Sequence, residues 1–180
     1  MSFFSRLFGK SAGDDDRLRN TPVADWPPPG GQSPQISLER QAVETFGARV
    51  PFGAPFDALR AIGRPDAYES SREGFATLRY ERWGLELEIE LGKFVQTTYL
   101  IGAERTRERR PALVLAEPRG ADGRVLTPQT TEAELLQRFG EPETRQDLTD
   151  TLVLYYRAGP LISEYQLRKG LLRTWDVFLD

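Results

Sequence analysis

The chain has neither cysteine nor histidine among its 180 residues. Without cysteine there is no disulfide, no thiolate nucleophile and no thiolate metal ligand. Without histidine the commonest general base and the commonest transition-metal ligand are missing. Asp, Glu, Lys and Tyr remain available for acid–base work, so catalysis is not excluded. Together the two absences favour a binding protein over an enzyme, with no cofactor and no metal expected. Long apolar runs are also lacking, since none approaches the ~20 residues of a membrane-spanning helix. The opening MSFFSRLFGK is too short for a secretory leader, is interrupted by Arg6, and has no small-residue cleavage site after it. The expected compartment is therefore the cytoplasm. Charge of one sign is scarce as well: a net charge of −3 supplies no basic field for a phosphate backbone, so nucleic acid is not an expected partner.

What is present is a repeated pattern. APFDALRAIGRPD at 54–66 is echoed by TTEAELLQRFGEPE at 130–143. Leu59 and Leu136, Ile62 and Phe139, Gly63 and Gly140, and Pro65 and Pro142 each stand 77 residues apart. Farther on, Leu78, Tyr80, Gly84 and Leu87 align with Val153, Tyr155, Gly159 and Ile162 at an offset of 75. Each motif predicts a short helix. Pro55 and Asp57 suit the first turn of one, and Thr131 with Glu134 forms a capping box at the start of the other. Gly63 and Gly140 end them, and Pro65 and Pro142 block continuation.

Alternation predicts strands after each helix. LELEIEL at 85–91 puts Leu85, Leu87, Ile89 and Leu91 on one face and Glu86, Glu88 and Glu90 on the other. With 75–83 and 94–101 it makes a three-stranded antiparallel meander; 151–157, 161–168 and 171–179 make a second. A further strand is expected at 112–117. The predicted fold is α+β: two tandem helix-plus-three-stranded units, at about 52–101 and 126–180, joined by a connector at 102–125. Their strands are expected to form one larger sheet, with both helices on one face and the other face open. The globular region is taken as 36–180, opening with a helix over 37–46 capped by Ser37. Before it, residues 9–35 read as a flexible Asp-, Pro- and Gly-rich linker containing Trp-Pro-Pro-Pro-Gly-Gly. Residues 1–8 form a short amphipathic segment in which Phe3, Phe4, Leu7 and Phe8 share a face.

A capped helix, then Leu-x-x-Phe/Ile-Gly-x-Pro, then a meander with Tyr before its first turn resembles the unit shared by beta-lactamase inhibitory protein and the SmpA/OmlA-type assembly lipoproteins. The residues that carry the resemblance are Leu59, Ile62, Gly63, Pro65 and Tyr80, with Leu136, Phe139, Gly140, Pro142 and Tyr155. The tandem arrangement looks more like the inhibitor. The resemblance implies a concave sheet that binds another protein.

Candidate binding residues follow from that expectation. The Glu86, Glu88 and Glu90 row would meet a basic surface; the structural alternative is a solvated strand face that discourages aggregation. For one metal ion the row is too wide, at ~7 Å between alternate residues. Trp83, Tyr99, Tyr156, Tyr165 and Trp175 are the aromatic types that interface centres favour; the alternative is core packing. Tyr155 and Tyr156 are adjacent and must point to opposite faces. Arg105–Arg110 is locally basic, with Glu interleaved, and reads as a solvated loop. The expected function is a non-catalytic protein-binding module, of inhibitor, immunity or assembly-adaptor type, with another protein as its partner. An alternative is an adaptor with peripheral membrane contact, anchored by Phe3, Phe4, Leu7 and Phe8. A carboxylate-based enzyme is a third reading.

Overall fold

The computed structural model describes residues 18–45, 47–71, 73–102 and 118–180. Two antiparallel sheets dominate. A small sheet contains β1 (Gln35–Ser37), β2 (Ala42–Thr45) and β3 (Ala48–Pro51). A large sheet contains β4 (Ala67–Ser70), β5 (Phe75–Tyr80), β6 (Leu85–Glu90), β7 (Lys93–Leu100), β8 (Thr144–Asp147), β9 (Thr151–Ala158), β10 (Leu161–Arg168) and β11 (Leu171–Leu179). Its spatial order is β4-β5-β6-β7-β11-β10-β9-β8. The centre is the antiparallel β7–β11 pair, where Tyr99 faces Trp175 and Thr98 faces Asp176.

This architecture overturns the expected α+β fold of helix-plus-three-strand units. The protein is mostly β, and each half of the large sheet has four strands, because β4 and β8 add an outer edge to each side. Among the described residues only α1 (Glu132–Phe139) is an α-helix of any length. Its start follows the predicted chemistry: the Thr131 hydroxyl accepts from Glu134 N, and the Glu134 carboxylate accepts from Thr131 N at 2.7 Å. The segment Phe56–Ala61 is instead a 3₁₀-helix with no side-chain cap. Its bonds skip three residues, as in Ile62 N–H to the Leu59 carbonyl at 2.9 Å. Seven residues between Pro55 and Gly63 are too few for a stable α-helix, and the turn is tied externally, with Phe56 N–H donating to the Gly92 carbonyl.

The helix expected over 37–46 is the β1–β2 hairpin. Ser37 Oγ accepts from Arg40 N at 3.3 Å, Gln41 takes φ of 50°, and Ile36 then lies opposite Val43. The Ser that was expected to cap a helix closes a turn instead. The Arg105–Arg110 loop and the strand expected at 112–117 lie outside the described residues.

The expected flexible linker over 9–35 is corrected for its described part, 18–35. Val23 and Trp26 are core residues, Leu18 joins them, and the Trp26 ring lies 5.2 Å from Phe56. The stretch is fastened at three points: Arg60 pairs with Asp25, Arg64 N–H donates to the Pro27 carbonyl, and the Tyr99 hydroxyl donates to the Pro34 carbonyl at 2.8 Å. Gly63 explains how the proline tract comes so close. A Cβ there would stand 2.4 Å from Pro29 Cα, and its φ of 100° also disfavours other residues.

One face of the large sheet is covered by this stretch, the small sheet, the 3₁₀-helix and α1, all sharing one core. Arg138 holds α1 to the preceding loop, forking onto Asp122 at 2.7 and 2.8 Å and lying over the Phe139 ring. The fork lowers the Asp122 pKa from its ordinary value. No helix among the described residues is long and apolar enough to cross a membrane.

Candidate functional site

Register decides which side chains share a face. Following partners from strand to strand, Tyr80, Leu85, Tyr99, Trp175, Tyr165 and Leu154 form one row across six strands. This row lies on the covered face. Tyr99 and Trp175 stack at 5.5 Å, and Trp175 and Tyr165 at 5.9 Å. The neighbouring row, one residue along each strand, is Arg79, Glu86, Thr98, Asp176, Glu164 and Tyr155. It occupies the opposite face and spans ~24 Å at the usual strand spacing.

The sequence-predicted site is thereby divided. Tyr99, Tyr165 and Trp175 are fully buried, and Trp83 lies almost buried against Tyr80 at 5.4 Å. Tyr156 is half-buried on the same covered side, with its hydroxyl donating to the Gly140 carbonyl at 3.1 Å. These five belong to the core and its margin, so as anchors on an open face they are corrected. The reason is legible in the register: Tyr99 is the partner of Leu85, which points into the core. The tyrosine alignment shifts as well. Tyr80 donates to the Gly63 carbonyl and Tyr156 to the Gly140 carbonyl, so Tyr156, not Tyr155, is the counterpart of Tyr80.

Glu86, Glu88 and Glu90 are on the uncovered face, as expected. Three residues that sequence reasoning missed join them: Glu164, Asp176 and Tyr155. Once strands 161–168 and 171–179 are fixed, parity alone places Glu164 between the inward Ser163 and Tyr165, and Asp176 between the inward Trp175 and Val177. Gln96 and Thr98 complete the patch from β7.

Its electrostatics are one-sided. Arg79 donates to Glu86 at 2.8 Å and also pairs with Glu69. Glu88, Glu90, Glu164 and Asp176 form no ion pair among the described residues, although Lys93 stands opposite Glu90 across the strand pair. Asp176 is 7% exposed. Thr98 Oγ1 donates to its Oδ1 at 2.5 Å, Gln96 to the same oxygen at 3.4 Å, and Thr174 to Oδ2 at 3.2 Å. Burial first, and then the charge of Glu164, raise the Asp176 pKa to about 6 despite those bonds. Burial and Glu86 raise that of Glu88. Burial, and then Glu164, raise that of Tyr155. In all three the neighbouring charges are negative. Among the described residues, the hydrogen bonds of this patch stay within the sheet. No three carboxylates among those residues converge on one metal position.

The predicted docking residues Phe3, Phe4, Leu7 and Phe8 lie outside the described residues. No protein-family model and no curated protein matches the sequence. Among solved structures, the chain is similar to a DUF4309 family protein, YjgB, from Bacillus subtilis. Identity is 12%, the TM-score is 0.50, and the match covers 79% of this chain and 90% of that one. At that identity the likeness concerns the fold alone.

Proposed function

We propose that the protein is a non-catalytic binding module whose uncovered sheet face holds a basic segment of another protein. The observation that supports this reading is the row of carboxylates on a face that no described element covers, with Arg79 opposite Glu86 and Lys93 opposite Glu90 at one end of it and no cation opposite Glu88, Glu164 or Asp176. Ordinary solvated strands place Lys or Arg opposite Glu, which neutralises the face and adds modest stability. Here Asp176 lies opposite Glu164 and beside Thr98, so the charge stays uncompensated until something cationic arrives. Complementary potential speeds encounter and rejects partners of the wrong sign. The expected cytoplasmic setting and the inhibitor or adaptor role belong to the same proposal.

The test uses the full chain with two synthetic probes, an Arg-Gly repeat peptide and a Glu-Gly repeat peptide, followed by calorimetry. The Arg-Gly peptide binds, and its affinity falls as salt rises. Glu88→Lys and Glu164→Lys each weaken it by about tenfold, ~1.4 kcal/mol, while changing stability by no more than ~0.5 kcal/mol. Equal affinity for both peptides, or full retention of the basic one by both variants, sinks the proposal.

A further inference from the structure

The uncovered face of the large sheet is not polar throughout. Phe178 on β11 stands directly opposite Ile162 on β10, and the two continue the cross-strand row that holds Glu88 and Gln96. Both side chains are half-buried, and neither belongs to the hydrophobic residues that form or border the core behind the sheet. Two residues back along the same strands is the facing pair Asp176 and Glu164. At ~3.4 Å per residue, the apolar pair and the acidic pair lie ~7 Å apart. Beyond the acidic pair come Thr174 and Gln166, which are polar and neutral.

A single apolar side chain on a solvated strand is ordinary. Two that face each other across a strand pair are in reach of one another and make a continuous apolar step. This step sits on interior strands, with β7 and β9 hydrogen-bonded on either side, so a sheet edge plays no part in it. Arg157, opposite Ile162, is engaged by Glu143 and Asp180 and supplies no spare positive charge. Among the described residues, the charge left without an ion pair beside the step is therefore negative: Asp176 and Glu164 along the strands, and Glu88 across Gln96.

We infer that the basic segment held by this face is extended and amphipathic, with a Lys or Arg over the Asp176–Glu164 pair and, two residues along, an aliphatic side chain over the Phe178–Ile162 pair. The inference rests on the carboxylate face being the binding face, and it adds the part of the partner that charge leaves open. In an extended chain, alternate side chains share a side and recur every ~7 Å, which is the distance between the two pairs. On a helix the residues that share a side are three or four apart and ~5–6 Å from each other, so a helical partner would need a different sequence pattern. Carboxylates alone would accept any basic segment. The apolar step discriminates among such segments, because only one with an aliphatic group in phase with its cation covers it.

Three synthetic repeat peptides of equal length and charge, titrated into the full chain by calorimetry, provide the test. Arg-Gly-Leu-Gly puts Arg and Leu on one side of an extended chain, Arg-Leu-Gly-Gly puts them on opposite sides, and Arg-Gly-Ser-Gly has no apolar group. The first is expected to bind about tenfold tighter than the other two, the gain from partly burying a Leu side chain. Ile162→Thr, which keeps the branched Cβ of a good strand former, should remove most of that gain and leave the Arg-Gly-Ser-Gly affinity unchanged. Glu164→Lys should weaken all three peptides together. If the three bind equally well, or if the gain survives in Ile162→Thr, the apolar step is no contact; the inference then fails while the basic-segment reading stands. Tightest binding by Arg-Leu-Gly-Gly indicates a helical partner and overturns it too. If none of the three binds, the basic-segment reading is itself wrong, and the inference falls with it.

Discussion

The two faces of the large sheet are built from the same strands, one residue out of phase, and they follow opposite rules. On the covered face the central row is aromatic and fully buried, and its polar tips are satisfied by backbone where they reach it, as Tyr99 reaches Pro34. On the uncovered face the central row is carboxylate and hydroxyl, bonded sideways along the sheet. The covered face is arranged for stability. The other holds a carboxyl in surroundings that disfavour its charge, which works against stability at neutral pH. Groups kept in such a state are concentrated at functional sites.

Trp175→Ala attacks the covered face at its centre and should have the largest effect. It removes a fully buried ring stacked on two others, and a loss of ~3–5 kcal/mol is expected in denaturant melts. Asp176→Asn, the adjacent residue facing the other way, should act in the opposite direction at neutral pH. With a folded pKa of about 6 against an ordinary ~3.8, the folded state keeps its proton longer than the unfolded chain. Stability therefore falls as pH rises from about 4 to about 6 and stays low above that. The Asn variant lacks this decline, so it should be more stable by ~3 kcal/mol at pH 7 and by less than ~1 kcal/mol at pH 4. A flat difference between the two pH values would show that Asp176 ionises freely. The smallest effect is expected at Thr97, whose buried hydroxyl on the covered face has no hydrogen-bond partner among the described residues. Thr97→Val should stabilise by ~1 kcal/mol, since it removes an unmet polar group at nearly constant volume.

Much of this was legible in the sequence wherever alternation was strong. The hairpin of 161–168 and 171–179 and the capping box at Thr131 appear where periodicity and cap chemistry placed them. The edge strands β4 and β8 were not legible, because AYES and TRQD are short, mostly polar and lack alternation; they become strands by pairing with a neighbour. The β1–β2 hairpin was hidden by residues that suit a helix equally well until Gln41 turns the chain. At the site, the Glu86–Glu90 row could be read from one strand alone. Glu164 and Asp176 needed the register between strands. The aromatics were assigned to the wrong side because residue type favours interfaces and cores alike, and only pairing with Leu85 separates the two.

The contact between Gly63 and Pro29 bears on where the folded unit starts. Composition alone would trim the chain at Gln35 and discard the Trp-Pro-Pro-Pro-Gly-Gly tract as filler. Such a cut would strip Val23 and Trp26 out of the interior, leave the Tyr99 hydroxyl without its acceptor, and uncover an oily groove along Phe56. What looks like packaging at the front of this protein is one wall of the building.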